Sequence, residues 1–209
     1  MTPSPQSQLE VIYRQLGRSS GFTGFRPRFL LVVSAGAAVA TLLISLAFAG
    51  GTLRQAAIAW LLVAALIALL VFLTVLLPAL RSTSMIQREA AQATGIQMIF
   101  PLGVGLAATA AVLANHPGAL PYLPAIWLGI FGLGISALSG LIRERVEYVA
   151  VFYLAAGVLT YFLAPTRALV FALAVGLPFT LGHLLTAWVL KSRKSAADQR
   201  RREGEGAEE

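Results

Sequence analysis

One stretch decides the class of this protein: residues 168–190 read ALVFALAVGLPFTLGHLLTAWVL and contain no charged side chain. A transmembrane helix needs about 20 mostly apolar residues, so this stretch is long enough to cross a bilayer. Its apolar residues do not alternate with a period of two, which favours a helix over a strand of a membrane barrel. The sequence therefore predicts that this stretch lies in lipid, and the other residues are expected to lie in or next to a membrane.

Five further apolar stretches precede this one, which predicts six spanning helices. The predicted spans are 29–49, 56–80, 94–114, 121–139, 148–164 and 168–190. The fifth is short, so it requires little tilt or a locally thinned bilayer. Only 12% of all residues are charged, against about 25% in a soluble domain. The sequence thus predicts an all-α membrane protein, a bundle of six transmembrane helices at 29–190.

The distribution of Lys and Arg indicates the orientation. With six spans, the two terminal segments and two of the loops share one face, and they carry fourteen of the sixteen Lys and Arg residues. The opposite face has only Arg54 and Arg167. Positive charge collects on the cytoplasmic side of membrane proteins, so both termini are predicted to be cytoplasmic. The net charge of +7 is therefore attributed to topology and not to binding of nucleic acid.

The first span has an alternative interpretation. Ala47, Phe48 and Ala49 follow an apolar run and have the small-residue pattern of a signal-peptidase cleavage site. Two features favour a retained helix. The apolar run is longer than the usual 7–15 residues of a signal peptide, and 28 residues precede it in place of a brief basic segment.

The N-terminal segment, residues 1–28, contains a candidate amphipathic helix. Ser7 and Glu10 have the spacing of a capping box, and apolar side chains follow on one helical face at Leu9, Ile12, Tyr13 and Leu16. Arg14 and Arg18 fall towards the other side, where they are placed to meet anionic headgroups. The alternative is a docking site for a cytoplasmic protein partner. The C-terminal segment, residues 191–209, lacks the apolar side chains for a core of its own and is predicted to be a disordered cytoplasmic tail.

The candidate polar site within the membrane centres on His183. Pro178 lies about one turn before it and frees a backbone carbonyl, so Thr180 and His183 are expected near a locally polar position. Tyr161 and Thr109 are further polar side chains that could line a pathway with them. His183 is interpreted either as a neutral residue hydrogen-bonded to a neighbouring helix or as a titrating or ligand-contacting group. It has no second ligand at metal-binding spacing, so no metal or cofactor is predicted.

Several classes of function are excluded or disfavoured by residue content. The chain has no Cys, which removes disulfides, thiolate metal sites and a Cys nucleophile. Every Asp, Glu, Lys and Arg lies at a span end, in a loop or in a terminal segment, which disfavours an ion-driven transporter. No catalytic triad, paired carboxylates or zinc-protease motif is present, so the protein is not predicted to be an enzyme.

The densest charge cluster next to the membrane lies between spans four and five. It consists of Arg143, Glu144, Arg145 and Glu147. Its charges are either neutralised within the loop, or they form a docking point on the cytoplasmic face.

Small residues recur every four positions in two of the predicted spans. They are Gly103, Ala107 and Ala111 in span three and Gly132, Ser136 and Gly140 in span four. Such faces let helices approach closely. The favoured interpretation is packing within the bundle, and the alternative is a homodimer interface.

Three segments carry a resemblance to other proteins: RSSGFT at 18–23, PAIWLG at 124–129, and the pair Gly182 and His183 in the last span. In this order of features the chain resembles a group of uncharacterised bacterial polytopic membrane proteins with about six spans. The resemblance implies a fold pattern and adds no activity.

Nearly all of the polar chemistry is predicted to face the cytoplasm of a bacterium. The favoured function is therefore a non-enzymatic sensor or accessory component of the inner membrane that acts through a protein partner. The alternative is a permease or channel-like carrier for a small neutral or apolar solute, which requires no charge within the membrane. A polar cavity reaching mid-bilayer would favour transport, and a closely packed bundle would favour interaction.

Overall fold

The computed structural model describes residues 27–139 and 147–205, and all regular structure in these ranges is helical. Seven α-helices follow one another, with one π-helical and one 3-10 segment between them. In chain order they are α1 (Pro27–Ala47), α2 (Leu53–Val71), the π segment (Phe72–Leu76), α3 (Leu77–Leu80), α4 (Met85–Asn115), the 3-10 segment (Pro117–Tyr122), α5 (Leu123–Ser139), α6 (Glu147–Leu163) and α7 (Ala168–Glu205). The predicted N-terminal helix and Arg143, Glu144 and Arg145 lie outside the described residues.

Within the part of the chain that the structure describes, five stretches are long and apolar enough to cross a membrane. They are Arg28–Ala47, Leu53–Leu80, Ala91–Asn115, Pro117–Ala137 and Ala168–Lys191. The sixth apolar helix, α6, has only 17 residues. The prediction of an apolar helical bundle therefore agrees with the structure, and the short fifth predicted span corresponds to α6.

Local sequence sets where α2 begins and how its apolar stretch ends. Thr52 caps the helix: its hydroxyl accepts from Gln55 N, and the Gln55 side chain accepts from Thr52 N at 2.9 Å. This capping box starts the helix at Leu53, three residues before the predicted span. Near the other end, Pro78 lacks an N–H and cannot continue the α-helical bonding pattern, and the chain passes through the π segment just before it.

The closest helix packing joins the first and last helices, and α5 and α6 form the second extensive pair. The buried side chains of α1 recur at the spacing of a coiled-coil seam and are mostly small: Leu30, Val33, Ser34, Ala37, Thr41, Ile44 and Ser45. The facing residue on α7 is Gly176, where an added Cβ would overlap the Thr41 side chain. The α1–α7 contact therefore depends on small residues that let two backbones approach.

Two apolar core clusters lie around α7. The first contains Trp60, Leu123, Phe171 and Val175, together with smaller buried side chains from α1, α2, α4 and α7. The second contains Tyr153 and side chains of α5 and α6, and it packs against Phe179 of α7. Because α7 contacts α1, α2, α5 and α6, it is the central helix of the described bundle.

The helices α2 and α4 are the most exposed of the bundle. Only 11% and 12% of their apolar windows are buried, against 33–39% for the other three long stretches. The predicted small-residue face of span three lies on this exposed surface, since Gly103, Ala107 and Ala111 are all exposed. It does not pack within the bundle. In span four, by contrast, Gly132 is buried against Leu154 and the Ala150 carbonyl of α6, whereas Ser136 is exposed.

The last helix extends well beyond the apolar stretch. α7 continues through Lys191 to Glu205, and this differs from the prediction of a disordered segment at 191–209. The physical reason is that an established helix lengthens without a new nucleation step. The added residues include Lys, Arg, Ala, Gln and Glu, all of which favour helix.

Candidate functional site

His183 lies in an aromatic cluster built by three helices. Phe131 comes from α5, Tyr153 from α6, and Phe179 and His183 from α7. The ring centroid of Phe131 lies 4.8 Å from that of Tyr153, 5.1 Å from that of Phe179 and 6.1 Å from that of His183. These separations are those of aromatic rings in contact, so the imidazole lies against the rings of Phe131 and Phe179, and its side chain is half-buried.

The hydrogen bonding of His183 fixes its tautomer. Its Nδ1 lies 2.7 Å from the carbonyl oxygen of Phe179, one turn earlier in α7. A carbonyl can only accept, so Nδ1 carries the hydrogen and donates it. In the neutral ring, Nε2 is then the acceptor. Along the helix axis His183 lies about 12 Å from Lys191, which places it inside the apolar stretch.

Tyr153 completes this polar contact between α6 and α7. Its hydroxyl oxygen lies 3.3 Å from Nδ1 of His183 and 3.5 Å from the carbonyl oxygen of Phe179, and its O–H donates weakly to that carbonyl. The ring lies over Gly182, where an added Cβ would overlap Cζ and the hydroxyl oxygen of Tyr153. Gly182 therefore makes room for the residue that His183 contacts.

The predicted residues Pro178 and Thr180 lie on the same helix as His183, and Thr180 connects this helix to α1. The Ser34 hydroxyl donates to the Thr180 carbonyl oxygen at 2.9 Å. The Thr180 hydroxyl oxygen itself is buried and has no hydrogen-bond partner among the described residues. Other Thr side chains in the bundle donate to a carbonyl three or four residues back: Thr41, Thr74, Thr109, Thr160 and Thr186. Thr180, two residues after Pro178, differs from these five in having no such bond.

Thr109 belongs to a different contact, between α4 and α5. It is fully buried, and its hydroxyl donates to the Gly105 carbonyl at 2.7 Å and accepts from Trp127 Nε1 at 2.8 Å. The Trp127 ring packs edge-on against Phe171 of α7, with centroids 6.0 Å apart. Thr109 therefore joins two helices, in a contact separate from that of His183.

Tyr161 lies near the other end of α6 and is not brought to His183. It is 55% exposed and its ring contacts Tyr122, with centroids 5.2 Å apart. Tyr and Trp gather at the two surfaces of a bilayer, which suits this position. Of the five predicted intramembrane residues, the structure thus groups Pro178, Thr180 and His183 and separates the other two.

Of the predicted cytoplasmic docking residues, the described ranges include Glu147. It is the first residue of α6, and its side chain is exposed. The remaining ones, Arg14, Arg18, Arg143, Glu144 and Arg145, lie outside the described residues.

Sequence reasoning missed the aromatic partners of His183. The sequence does not single out Tyr153, Phe131 and Phe179, because aromatic side chains are ordinary content of apolar spans. One signal was available: Gly182 adjoins His183 and marks a close approach of another chain segment. That signal gives no identity for the approaching residue. Within the described residues, no group of three or more His, Asp or Glu side chains is arranged to hold a metal ion.

Comparison with known proteins finds no similar family, protein or structure. No protein-family model matches the chain, and neither curated proteins nor solved structures give a significant match. The functional interpretation therefore depends on the geometry of this bundle alone.

Proposed function

We propose that this chain is a six-span protein of a bacterial inner membrane that acts as a non-enzymatic accessory or sensor component through interactions on its cytoplasmic face. In this proposal α6 is the fifth span, and both termini lie in the cytoplasm. The cytoplasmic face then carries the N-terminal segment with Arg14 and Arg18, the loop with Arg143 and Arg145, and the end of α7.

The observation that carries the proposal is the use of polar side chains within the apolar stretches for contacts between helices. His183 donates to a carbonyl of its own helix, lies against the rings of Phe131 and Phe179, and has the Tyr153 hydroxyl beside its Nδ1. The hydroxyls of Thr109 and Ser34 likewise donate hydrogen bonds to backbone carbonyls, that of Gly105 in the same helix and that of Thr180 in α7. Intramembrane polar groups used in this way stabilise helix association. Such use suits a packed scaffold better than a solute pathway.

The positions of the charged side chains support the proposed orientation. Arg28, Arg81, Arg88 and Lys191 are exposed near ends of the apolar stretches that share the cytoplasmic face in a six-span topology. Exposed Arg54 and Arg167 lie at the opposite helix ends. Cytoplasmic enrichment of Lys and Arg is the expected consequence of insertion.

One observation favours the carrier as the second candidate. The Thr180 hydroxyl is buried beside Pro178, in the middle of the apolar stretch of α7, and residues 27–139 and 147–205 provide no hydrogen-bond partner for it. A buried hydroxyl without a hydrogen bond costs about 1–3 kcal/mol, which a passing solute or water could offset. A carrier for a small neutral solute would use this position.

The two candidates are separated by site-specific photo-crosslinking and a flux assay. A photoreactive amino acid at Arg145 is expected to give one protein adduct, which the double variant R14E/R18E weakens. The matched positions on the opposite face, Arg54 and Arg167, are expected to give none. Equal adducts on both faces, or no adduct at all, would contradict the proposal. Glycerol flux in proteoliposomes that disappears in Thr180→Val would establish the carrier in its place.

A further inference from the structure

The helix α6 is too short for the bilayer that the other spans fit. Its 17 residues give a length of about 26 Å, whereas a typical hydrocarbon core is about 30 Å thick. Its apolar length is limited at both ends. At one end the sequence is charged, with the exposed carboxylate of Glu147 preceded by Arg143, Glu144 and Arg145. At the other end Ala164 adopts a positive φ of 35° and ends the helix. The next residue, Pro165, is fully buried and adds no surface towards lipid.

One face of α6 is uncovered along its full length. Val151, Val158, Leu159 and Phe162 are 58–78% exposed, whereas the opposite face packs against α5 and α7. An apolar face of this kind in a membrane protein is solvated by acyl chains. The short length of the helix therefore acts directly on the lipids beside it.

Two exposed tyrosines near the ends of α6 are also separated by less than the thickness of a bilayer core. Tyr148 and Tyr161 are 62% and 55% exposed, near the two ends of α6. Tyr rings are enriched at the level of the headgroups on each side of a membrane. These two are about 20 Å apart along the helix axis, which is well below the thickness of a typical hydrocarbon core.

The apolar stretch that begins with α2 is exposed like α6 but is longer than a bilayer core requires. The apolar stretch Leu53–Leu80 has 28 residues, which corresponds to about 42 Å if it is straight, and only 11% of its apolar window is buried. It fits a bilayer of ordinary or greater thickness by tilting. One protein thus presents a long and a short lipid-facing helix.

From this contrast we propose that the exposed face of α6 is a binding surface for phospholipids with short acyl chains. This inference depends on the proposed function in one respect, namely that α6 crosses the bilayer. Long acyl chains beside α6 must either shorten by disordering or bring hydrocarbon into contact with Glu147 and the 164–167 connection. Either change costs a fraction of a kilocalorie per mole for each ångström of mismatch. Short chains remove that cost. The ligand is thus a lipid class defined by chain length, whatever its headgroup.

The test uses the absence of Cys from the chain, which allows a single labelled position without background. Leu159→Cys on α6 and Leu66→Cys on α2 are each labelled with a small fluorophore; the two leucines are 61% and 66% exposed. The proteins are reconstituted in mixtures of phosphatidylcholines with 14-carbon and 22-carbon monounsaturated chains, one of the two brominated. Fluorescence quenching then gives the relative association constant of the two lipids at each position.

At Leu159 we expect the short lipid to be preferred by at least about threefold, and at Leu66 we expect no preference or the reverse. Equal preferences at the two positions would overturn the inference, as would a preference for long chains at Leu159. Absence of quenching by either lipid at Leu159 would also overturn it, because a second copy or another protein would then cover α6.

A second variant connects the preference to helix length. Glu147→Leu removes the charge that limits α6, and we expect it to reduce the preference for short chains at Leu159. The matched control Glu89→Leu changes an exposed carboxylate on α4 and is expected to leave the preference unchanged. Accessibility of Glu147→Cys and Thr166→Cys to an impermeant thiol reagent is measured in parallel. Labelling of both from the same side would overturn the proposed topology, independently of the lipid preference.

Discussion

The Tyr153 hydroxyl of α6 lies 3.3 Å from Nδ1 of His183 on α7, and both contact the Phe179 carbonyl. These two residues are far apart in the sequence and come together because Gly182 leaves space for the tyrosine ring. The contact uses the most polar side chain within the apolar part of α7 to join two helices. It gives the Nδ1–H of this histidine a partner in the apolar stretch, where an unbonded N–H would be costly.

Substitution of Gly182 by Ala is expected to destabilise the protein. The new methyl group overlaps the Tyr153 ring, and relief of such an overlap in a packed core costs about 1–3 kcal/mol. The measurement is the midpoint of thermal unfolding in lipid nanodiscs, followed by circular dichroism. Gly103→Ala is the matched control on α4, because no atom lies within 4 Å of its added Cβ. Equal midpoints for the two variants would show that Tyr153 does not pack on Gly182.

The hydrogen bonding between α6 and α7 is expected to appear as coupling between two substitutions. Tyr153→Phe removes the hydroxyl, and His183→Phe removes the ring nitrogens but keeps an aromatic ring. The double variant should be less destabilised than the sum of the single variants, by about 0.5–1 kcal/mol. Denaturant unfolding in bicelles measures the three free energies. Strict additivity would mean that the two side chains act independently.

Loss of the contact between Thr109 and Trp127 is expected to loosen α4 from α5. Thr109→Val keeps the shape of the side chain but leaves the Trp127 N–H without its acceptor, at a cost of about 1–3 kcal/mol. Thr74→Val is the control, because the exposed Thr74 hydroxyl bonds only to the Leu70 carbonyl of its own helix. Hydrogen exchange of α4 amides in nanodiscs should increase in the first variant alone. Unchanged exchange in Thr109→Val would contradict this assignment.

The proposed topology makes a prediction about three single-Cys variants. Gly50→Cys and Thr166→Cys lie in connections on the side with few positive charges, and Thr83→Cys lies in a connection on the positive side. An impermeant thiol reagent applied to intact spheroplasts should label the first two and label Thr83→Cys only after permeabilisation. Labelling of all three, or of Thr83→Cys alone, would reverse or refute the orientation. A labelled Gly50→Cys in a full-length chain also separates a retained first span from a cleaved signal peptide.

Much of the fold could be predicted because it depends on local properties of the chain. Each predicted span overlaps an observed helix, since the length and polarity of an apolar run decide whether it forms a helix in lipid. The helical extension to Glu205 is not predictable from burial, because the charged tail has no apolar face to bury. Helix growth from α7 needs no burial.

The candidate site could be predicted only in part. Pro178, Thr180 and His183 are neighbours in sequence, so their common helix made their proximity predictable. Thr109 and Tyr161 belong to other helices, and nothing in their local sequence shows which helix faces them. The exposed position of Gly103, Ala107 and Ala111 was open for the same reason, since a small-residue face suits an internal or an external contact equally.

The sequence by itself determined that apolar helices dominate this protein, roughly where each begins and ends, and how positive charge is divided between the connections. These properties follow from transfer of short segments into lipid, which each segment undergoes largely on its own. Only the tertiary structure decided that α7 is central, that Tyr153 meets His183, and that one face of the short α6 is left uncovered by the other described helices. Those outcomes depend on side-chain shape across different helices, because helix association in lipid is governed by close packing and not by hydrophobicity.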